Sequence, residues 1–181
     1  MRLEFDPFPE MTTERLILRA LEDGDEAGLF RLRADEETAR VLCREPYKTV
    51  DEARARIAFL RRDAENGLSV TWALESREAP GFMGYICLWN FSEEENKAEI
   101  GYELLPEFRG KGYMLEAAMA VAAYGIHRMG LSKITACPPK NNPRSINLLE
   151  SLGFLPAGER SETGQNGQVM DLMIYELEVR D

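Results

Sequence analysis

A strand pattern, a tight turn and a helix pattern follow one another in the middle of this chain. Residues 98–104 alternate between apolar and other side chains, which predicts a strand with Glu99 and Glu103 on one face. A run of apolar residues then predicts a long helix that stops near Gly130. The segment between them holds two glycines, which let the backbone turn sharply and approach a ligand closely. This succession predicts a fold that mixes strands and helices.

The rest of the chain continues this mixture. Further strands are predicted at residues 16–18, 69–75, 82–89, 134–137, 154–160 and 169–179. Thr49 and Glu52 have the spacing of a capping box, and Asn142 followed by Pro143 is typical of a helix start. The residues expected on the buried sides of four helices are Ala27, Phe30 and Ala34; Ile57 and Leu60; Leu115, Ala118, Met119, Ala122 and Ile126; and Leu148, Leu149 and Leu152.

Length and charge limit what such a fold can do. The chain has 181 residues, so a single domain over residues 1–181 is expected. Its 22 basic and 32 acidic residues give a formal net charge of −10, which disfavours nucleic-acid and membrane partners and suits a cationic one. No apolar stretch reaches the ~18 residues of a membrane span. The acidic start, residues 1–6, lacks the features of a signal peptide, so a cytoplasmic location is expected.

The few cysteine and histidine residues indicate no metal site. Cys43, Cys87 and Cys137 are odd in number and show no CxxC spacing, which argues against a disulfide framework and a zinc site. The single histidine, His127, lies near the end of a predicted helix and is expected at the surface or its boundary.

The glycine-containing turn is the best candidate for a phosphate-binding loop. Glycines and the first N–H groups of a helix suit a diphosphate, and two basic side chains add positive charge. A dinucleotide fingerprint is excluded by Leu115, and the Lys-Ser/Thr pair of a P-loop is absent from the sequence. A turn without any ligand remains the alternative. The turn and the helix start consist of Arg109, Gly110, Lys111, Gly112, Tyr113 and Met114.

Three motifs together resemble the GCN5-related N-acetyltransferase (GNAT) superfamily. They are Arg109-x-x-Gly112, the segment 142–145 (Asn-Pro-Arg-Ser), and the segment 148–154, which ends in Gly-Phe. Residues 13–19 and 98–102 resemble more narrowly the ribosomal-protein N-terminal acetyltransferases of the RimJ and RimL type. The resemblance covers nearly the whole chain.

This resemblance implies an α/β fold of the α+β type. The expected sheet is mixed and mostly antiparallel, has six to seven strands and flanking helices, and contains a splayed strand pair that holds the cofactor. The implied enzyme is an acetyl-CoA-dependent N-acetyltransferase that acts by direct attack in a ternary complex, first of all on a protein or peptide α-amine. A small-molecule amine such as an antibiotic, polyamine or amino acid is an alternative acceptor, and a non-catalytic acyl-CoA sensor is an alternative function. Exposed sheet edges would also allow a homodimer.

The resemblance also suggests individual roles. Glu99 is the candidate base and Glu103 its rival, although a solvated strand face would explain both carboxylates equally well. A backbone N–H of Leu104 or Leu105, at a bulged strand end, is expected to meet the developing oxyanion. The Ser145 hydroxyl is expected to protonate or hydrogen-bond the departing thiolate, unless it only assists capping. The residues expected to bind the cofactor are Leu104, Leu105, Arg109, Gly110, Lys111, Gly112, Tyr113, Met114 and Asn142.

Two positions depart from the family pattern. Met114 stands where Gly or Ala is common, so the helix start could meet the cofactor differently. Leu149 stands near the position of a tyrosine that serves as the acid in many members, and leucine cannot donate a proton. The aromatic residues that would either line an acceptor pocket or belong to the core are Tyr47, Trp72, Trp89 and Phe91.

Overall fold

The computed structural model describes residues 3–179. Its strands are β1 (Met11–Thr12), β2 (Leu16–Arg19), β3 (Val70–Ser76), β4 (Phe82–Ser92), β5 (Lys97–Leu104), β6 (Lys133–Ala136), β7 (Leu155–Thr163) and β8 (Val169–Glu178). Its α-helices are α1 (Glu26–Arg33), α2 (Glu36–Val41), α3 (Val50–Glu65), α4 (Tyr113–Tyr124) and α5 (Pro143–Ser151). Short 3-10 turns lie at Asp23–Asp25 and Pro106–Phe108, and the π-helical segment Gly125–Met129 extends α4. Over the described range, none of these helices combines the length and apolarity that crossing a bilayer requires.

All eight strands join one sheet in the order β1-β2-β3-β4-β5-β6-β8-β7. Only the β5–β6 pair is parallel, which confirms the mixed, mostly antiparallel sheet. The sheet has one strand more than the predicted maximum because the two-residue β1 pairs with β2. So short a strand has no alternation that a sequence pattern could reveal.

The main core lies between the sheet and α4, with Trp72 and Phe154 as its largest fully buried side chains. Thr49 and Glu52 form the predicted capping box of α3, and Ile57 and Leu60 are buried as expected. His127 is exposed, as predicted.

The predicted buried sides of two helices were only partly right. In α1 the buried residues are Leu29 and Leu32; of the predicted residues, Phe30 packs partly buried against a second core cluster, whereas Ala27 is exposed. In α4 they are Met114, Ala117, Ala118, Val121 and Ala122, whereas Met119 is 59% exposed. Almost every residue of α4 is apolar, so several stripes fit its sequence equally well, and packing against the sheet selects among them.

The two parallel strands part soon after they meet, as the resemblance implied. β5 and β6 pair only over Lys97–Glu99 and Lys133–Thr135. Beyond Ala136 the chain stays with β8, because the Pro138 carbonyl accepts from Met173 N and Lys140 N donates to Asp171 O. Two consecutive prolines at 138 and 139 have no N–H to offer β5. The rest of β5 therefore continues beside β4 alone, and a gap opens on its other side.

Candidate active site

The glycine-containing turn has the backbone shape of an anion-binding loop. Gly110 and Gly112 adopt φ angles of 73° and 78°, in the left-handed region that glycine tolerates best. Gly112 is the N-cap of α4, so the amides of the first helical turn are directed out of the helix end. A Cβ at Gly110 would meet no atom within 4 Å, and one at Gly112 only the Arg15 guanidinium, at 3.3 Å. The residues present therefore fit a diphosphate.

Arg15 braces this turn from the first strand region. Its Nη1 donates to the Lys111 carbonyl at 2.9 Å, and its Nε donates to Glu116 at 2.7 Å. The guanidinium also lies 4.6 Å from the centre of the Tyr113 ring. Sequence reasoning did not assign Arg15 to the turn, since almost a hundred residues separate the two.

Arg109 and Met114 have side chains that support the turn from behind. Arg109 Nε donates to the Leu104 carbonyl at 2.8 Å, and its Nη2 donates to Thr38 Oγ1 at 3.1 Å. Met114 is buried in the main core. The departure from Gly or Ala at this position is thus accommodated by a side chain that points inward and leaves the backbone of the helix start uncovered.

The end of β5 directs its amides alternately to its two sides. Leu105 N donates to Met83 O at 2.9 Å, directly across from it in the β4–β5 register. Because hydrogen-bonded and non-hydrogen-bonded pairs alternate in an antiparallel ladder, Tyr102 and Leu104 direct their N–H groups away from β4, toward the gap. Of the two amides expected to meet an oxyanion, Leu105 is already engaged, and Leu104 is the one aimed at the gap.

The register shift expected at this strand end lies elsewhere. Pairing runs regularly through Leu104, and the shift occurs between Trp89 and Ser92, where Asn90 has a φ of 51°. The extra residue is accommodated next to the β4–β5 turn, and asparagine tolerates the left-handed conformation there. This shift turns the Asn90 amide toward β5, where its Nδ2 donates to Glu99 Oε2 at 3.4 Å.

Glu99 is a buried carboxylate with few partners. The residue is only 7% exposed. Besides Asn90, the Cys137 thiol is a hydrogen-bond partner of Glu99, and Arg160 of β7 approaches it, with Nη2 3.7 Å from Oε2. Burial raises the pKa of Glu99 above its ordinary value, against the opposing effects of Arg160 and Asn90. A carboxylate in this condition accepts a proton more readily than an exposed one.

Glu103 is held by three partners. Arg44 donates to its two oxygens at 2.6 and 2.7 Å, Arg33 at 3.2 Å, and the Tyr85 hydroxyl at 2.5 Å. Burial by itself would raise the pKa of Glu103, but the hydrogen bonds and charges of Arg44, with those of Arg33 and Tyr85, lower it below the ordinary value. Glu103 is therefore a weak base, and neither Arg33 nor Arg44 was assigned to it from sequence.

The start of α5 brings Asn142, Ser145 and Tyr102 together. Asn142 Oδ1 accepts from Ser145 N at 3.3 Å, so Asn142 is the predicted N-cap. The Ser145 hydroxyl lies 2.8 Å from the hydroxyl of Tyr102 on β5. Leu149 is fully buried in the core and takes no part in this polar group.

Two segments border the β5 face that carries Glu99 and Glu103. The tip of the β7–β8 hairpin contacts the loop after α2, where Asn166 N donates to Cys43 O at 3.3 Å. A Cβ at Gly164 would lie 2.1 Å from the same carbonyl, so only glycine fits there. Among the aromatic candidates, Trp72 belongs to the core, whereas Trp89 is 43% exposed and lies opposite Glu99 in the register.

Comparisons with known proteins agree with this geometry. The family model described as "Acetyltransferase (GNAT) domain" matches residues 15–155. The uncharacterized N-acetyltransferase YoaA of Bacillus subtilis is 30% identical over 171 residues, which cover 94% of this chain and 97% of the relative. The chain belongs to the GNAT acetyltransferase family. This membership confirms the predicted fold class, the acyltransferase activity and acetyl-CoA as the acetyl donor.

Solved structures with different acceptors share this fold. The ribosomal-protein-S5-alanine acetyltransferase of Vibrio fischeri matches with a TM-score of 0.79 and 19% identity, over 94% of this chain and 96% of its own. The spermidine N-acetyltransferase of Vibrio cholerae, solved with CoA and spermine, matches with a TM-score of 0.78 and 23% identity, over 92% of this chain and 96% of its own. Similarity at this level concerns the fold and leaves the acceptor to be argued from this chain's own residues.

Proposed function

We propose that this acetyltransferase transfers the acetyl group of acetyl-CoA to the α-amine of a peptide or protein, by direct attack within a ternary complex. The observation that carries the proposal is the parting of β5 and β6, which opens a gap just after Glu99, on the side to which the β4–β5 register directs the Leu104 N–H. Acetyl-CoA supplies the acetyl group as an activated thioester. The remaining chemistry is binding, orientation and proton transfer by residues around this gap.

The glycine-containing turn and the start of α5 would hold the coenzyme. The amides after Gly110 and Gly112 would bind the diphosphate, aided by the positive end of the α4 dipole and the exposed Lys111 side chain. The Asn142 side chain would contact the pantetheine arm while it continues to cap α5. The Leu104 N–H would then donate to the carbonyl oxygen of the acetyl group as negative charge develops there.

Glu99 would accept the proton of the attacking amine. Its raised pKa brings it closer to neutral pH, where a general base is most effective. The Ser145 hydroxyl would donate to the sulfur that leaves. Glu103 is excluded from both roles in this proposal, because Arg33, Arg44 and Tyr85 occupy its oxygens.

An α-amine suits these residues better than a polyamine. Its pKa of about 7.7 to 8.0 lies well below the value of about 10.4 for an alkyl amine such as lysine, so a carboxylate base removes its proton more easily. A polycation also needs uncompensated negative charge. On the β5 face, Arg33 and Arg44 offset the charge of Glu103, and Arg160 lies between Glu99 and Glu162, closer to Glu162. The three arginines therefore balance the three carboxylates, and little net negative charge remains to attract a polycation.

An acceptor panel tests this proposal. The purified protein is incubated with acetyl-CoA and peptides with varied N-termini, the same peptides with blocked N-termini, spermidine, an aminoglycoside and free amino acids, and thiol release is followed. We expect transfer to free N-termini and none to blocked peptides. Faster transfer to spermidine or another small amine would overturn the assignment of the acceptor. Binding of acetyl-CoA without transfer to any amine would favour the sensor alternative.

A matched pair of glycine variants tests the phosphate-binding loop. Gly112→Asp brings negative charge toward the diphosphate, and we expect coenzyme A to bind about tenfold more weakly in calorimetry. Gly130→Asp is the control, because Gly130 has nearly the same backbone conformation, with φ 77°, and open space around it. Equal affinities of the two variants for coenzyme A would contradict the assignment.

A further inference from the structure

A polar contact joins β5 to the start of α5. The Tyr102 hydroxyl lies 2.8 Å from Ser145 Oγ, although 43 residues separate them along the chain. Tyr102 is on the β5 face opposite Glu99 and packs against the main core, so the tyrosine ring is fixed while its hydroxyl reaches the polar start of α5. Ser145 is fixed as well, because its N–H donates to Asn142 Oδ1.

The Tyr102 hydroxyl remains a hydrogen-bond donor at neutral pH. Leu149, which stands near the position of the family's usual acid, is fully buried and carries no polar hydrogen to donate. Burial raises the pKa of Tyr102 to about 12, and the hydrogen bond to Ser145 opposes that rise only in part. The phenol therefore stays protonated at neutral pH and can donate throughout the working range. A serine oxygen can accept this hydrogen bond and still donate its own hydrogen elsewhere.

We propose that Tyr102 is a positioning residue that donates to Ser145 Oγ and thereby directs the Ser145 hydroxyl to the leaving sulfur of the coenzyme. This inference rests on the proposed acetyl transfer. It names Tyr102 as the residue that assists Ser145, since Leu149 on α5 cannot act as an acid. A hydrogen bond received from Tyr102 also makes the Ser145 O–H a stronger donor, because hydrogen bonds in a chain polarise one another.

The atoms balance without a proton from Tyr102. Transfer forms a bond between the amine nitrogen and the carbonyl carbon, and Glu99 takes one proton from that nitrogen. The carbon–sulfur bond breaks, and its electron pair stays on sulfur, where the Ser145 O–H stabilises the negative charge. Glu99 later gives its proton to solvent, and the thiolate takes one from solvent after release. Tyr102 remains a neutral phenol throughout.

The first test measures the thiol of bound coenzyme A rather than turnover. Ultraviolet absorbance of the thiolate is followed against pH for coenzyme A bound to the intact protein. We expect Tyr102→Phe and Ser145→Ala each to raise the pKa of the bound thiol by about one unit, and the double variant to raise it no further. Tyr175→Phe is the control, because Tyr175 also donates to α5, at 2.9 Å to Glu150, which lies five residues beyond Ser145.

The second test varies the leaving group. Acetyl thioesters of more acidic thiols need less stabilisation of the leaving sulfur, so the rate deficit of Tyr102→Phe should shrink from about tenfold with acetyl-CoA toward none. A deficit that is the same for every thioester, or a bound thiol whose pKa Tyr102→Phe leaves unchanged, would overturn the inference. Absence of transfer to every amine of the panel would instead refute the acceptor proposal, since the bound-thiol measurement uses no amine.

Discussion

Two glutamates on the same face of one strand are almost equally buried but differ in their partners and in the direction of their pKa shifts. Glu99 and Glu103 are four residues apart on β5, roughly 13 Å along the strand. Glu99 has one amide, one thiol and one more distant guanidinium near it, and its pKa is raised. Glu103 has two guanidiniums and a phenol, and its pKa is lowered. The partners supplied by other elements, rather than the strand itself, make Glu103 a structural anchor and leave Glu99 as the proposed base.

The elements that supply these partners explain the difference. Arg33 ends α1, Arg44 follows α2, and Tyr85 lies directly opposite Glu103 in the register of β4. Glu103 thus ties the two early helices to the centre of the sheet. The end of β5 near Glu99 instead faces the β7–β8 hairpin, the irregular end of β4 and the end of β6, which bring Arg160, Asn90 and Cys137.

The largest effect is expected for Glu99→Gln. Loss of a general base lowers turnover by about 10²- to 10⁴-fold, and the deficit should shrink at high pH as free amine becomes abundant. The affinity for coenzyme A should stay within about twofold of the wild type, because Glu99 lies outside the glycine-containing turn. Steady-state kinetics against pH and calorimetry measure the two quantities. Normal turnover in this variant would remove Glu99 from the mechanism.

The matched variant Glu103→Gln should affect stability instead. It leaves two guanidiniums without their buried anion, so the free energy of unfolding should fall by about 3–5 kcal/mol in denaturant titration. Glu99→Gln should leave stability unchanged or raise it, because it removes a buried charge whose pKa is raised. If Glu99→Gln destabilised the protein more than Glu103→Gln, the contrast between the two carboxylates would be wrong.

Acid titration of stability tests the lowered pKa of Glu103. The pKa of Glu103 is lower in the folded state than its ordinary value of 4.5, so its contribution is complete above pH 4.5 and is lost as pH falls further. The unfolding free energy of Glu103→Gln should therefore depend less steeply on pH below that value. Chemical denaturation at a series of acidic pH values measures how the unfolding free energy of the wild type and of Glu103→Gln changes with pH. Equal slopes for the two proteins would contradict the lowered pKa of Glu103.

The smallest effect is expected for Tyr85→Phe. The variant removes one hydrogen bond to Glu103 but keeps the ring and both arginines, so stability should fall by about 1 kcal/mol. Turnover should change little at saturating substrate. A loss of turnover as large as that of Glu99→Gln would mean that the Glu103 cluster takes part in the chemistry after all.

Sequence patterns were most reliable where neighbouring residues decide the structure. The Thr49–Glu52 capping box, the Asn142 cap and the apolar face of β5 all depend on residues within a few positions of one another, and each is present. The buried sides of α1 and α4 were predicted only in part, since the rotation of a helix depends on what it packs against.

The glycine-containing turn shows the same division. Its two positive φ angles and its place before α4 follow from the local sequence. Its bracing by Arg15 does not, because the contact from Arg15 to Glu116 spans 101 residues of chain. Whether Leu104 or Leu105 faces the gap also depended on the register with β4, which a single strand's sequence does not contain.

The sequence by itself determined the family of folds, the turn that suits a diphosphate and the pair of glutamates on one strand face. Only the tertiary structure decided which glutamate is held by arginines, which amide points into the gap and which hydroxyl meets Ser145. These features depend on contacts between residues that are far apart in the sequence. Arg44 and Glu103 are separated by 59 positions, and Tyr102 and Ser145 by 43. Charge, desolvation and hydrogen bonding act through space, so residue types and spacings alone do not reveal which groups they will couple.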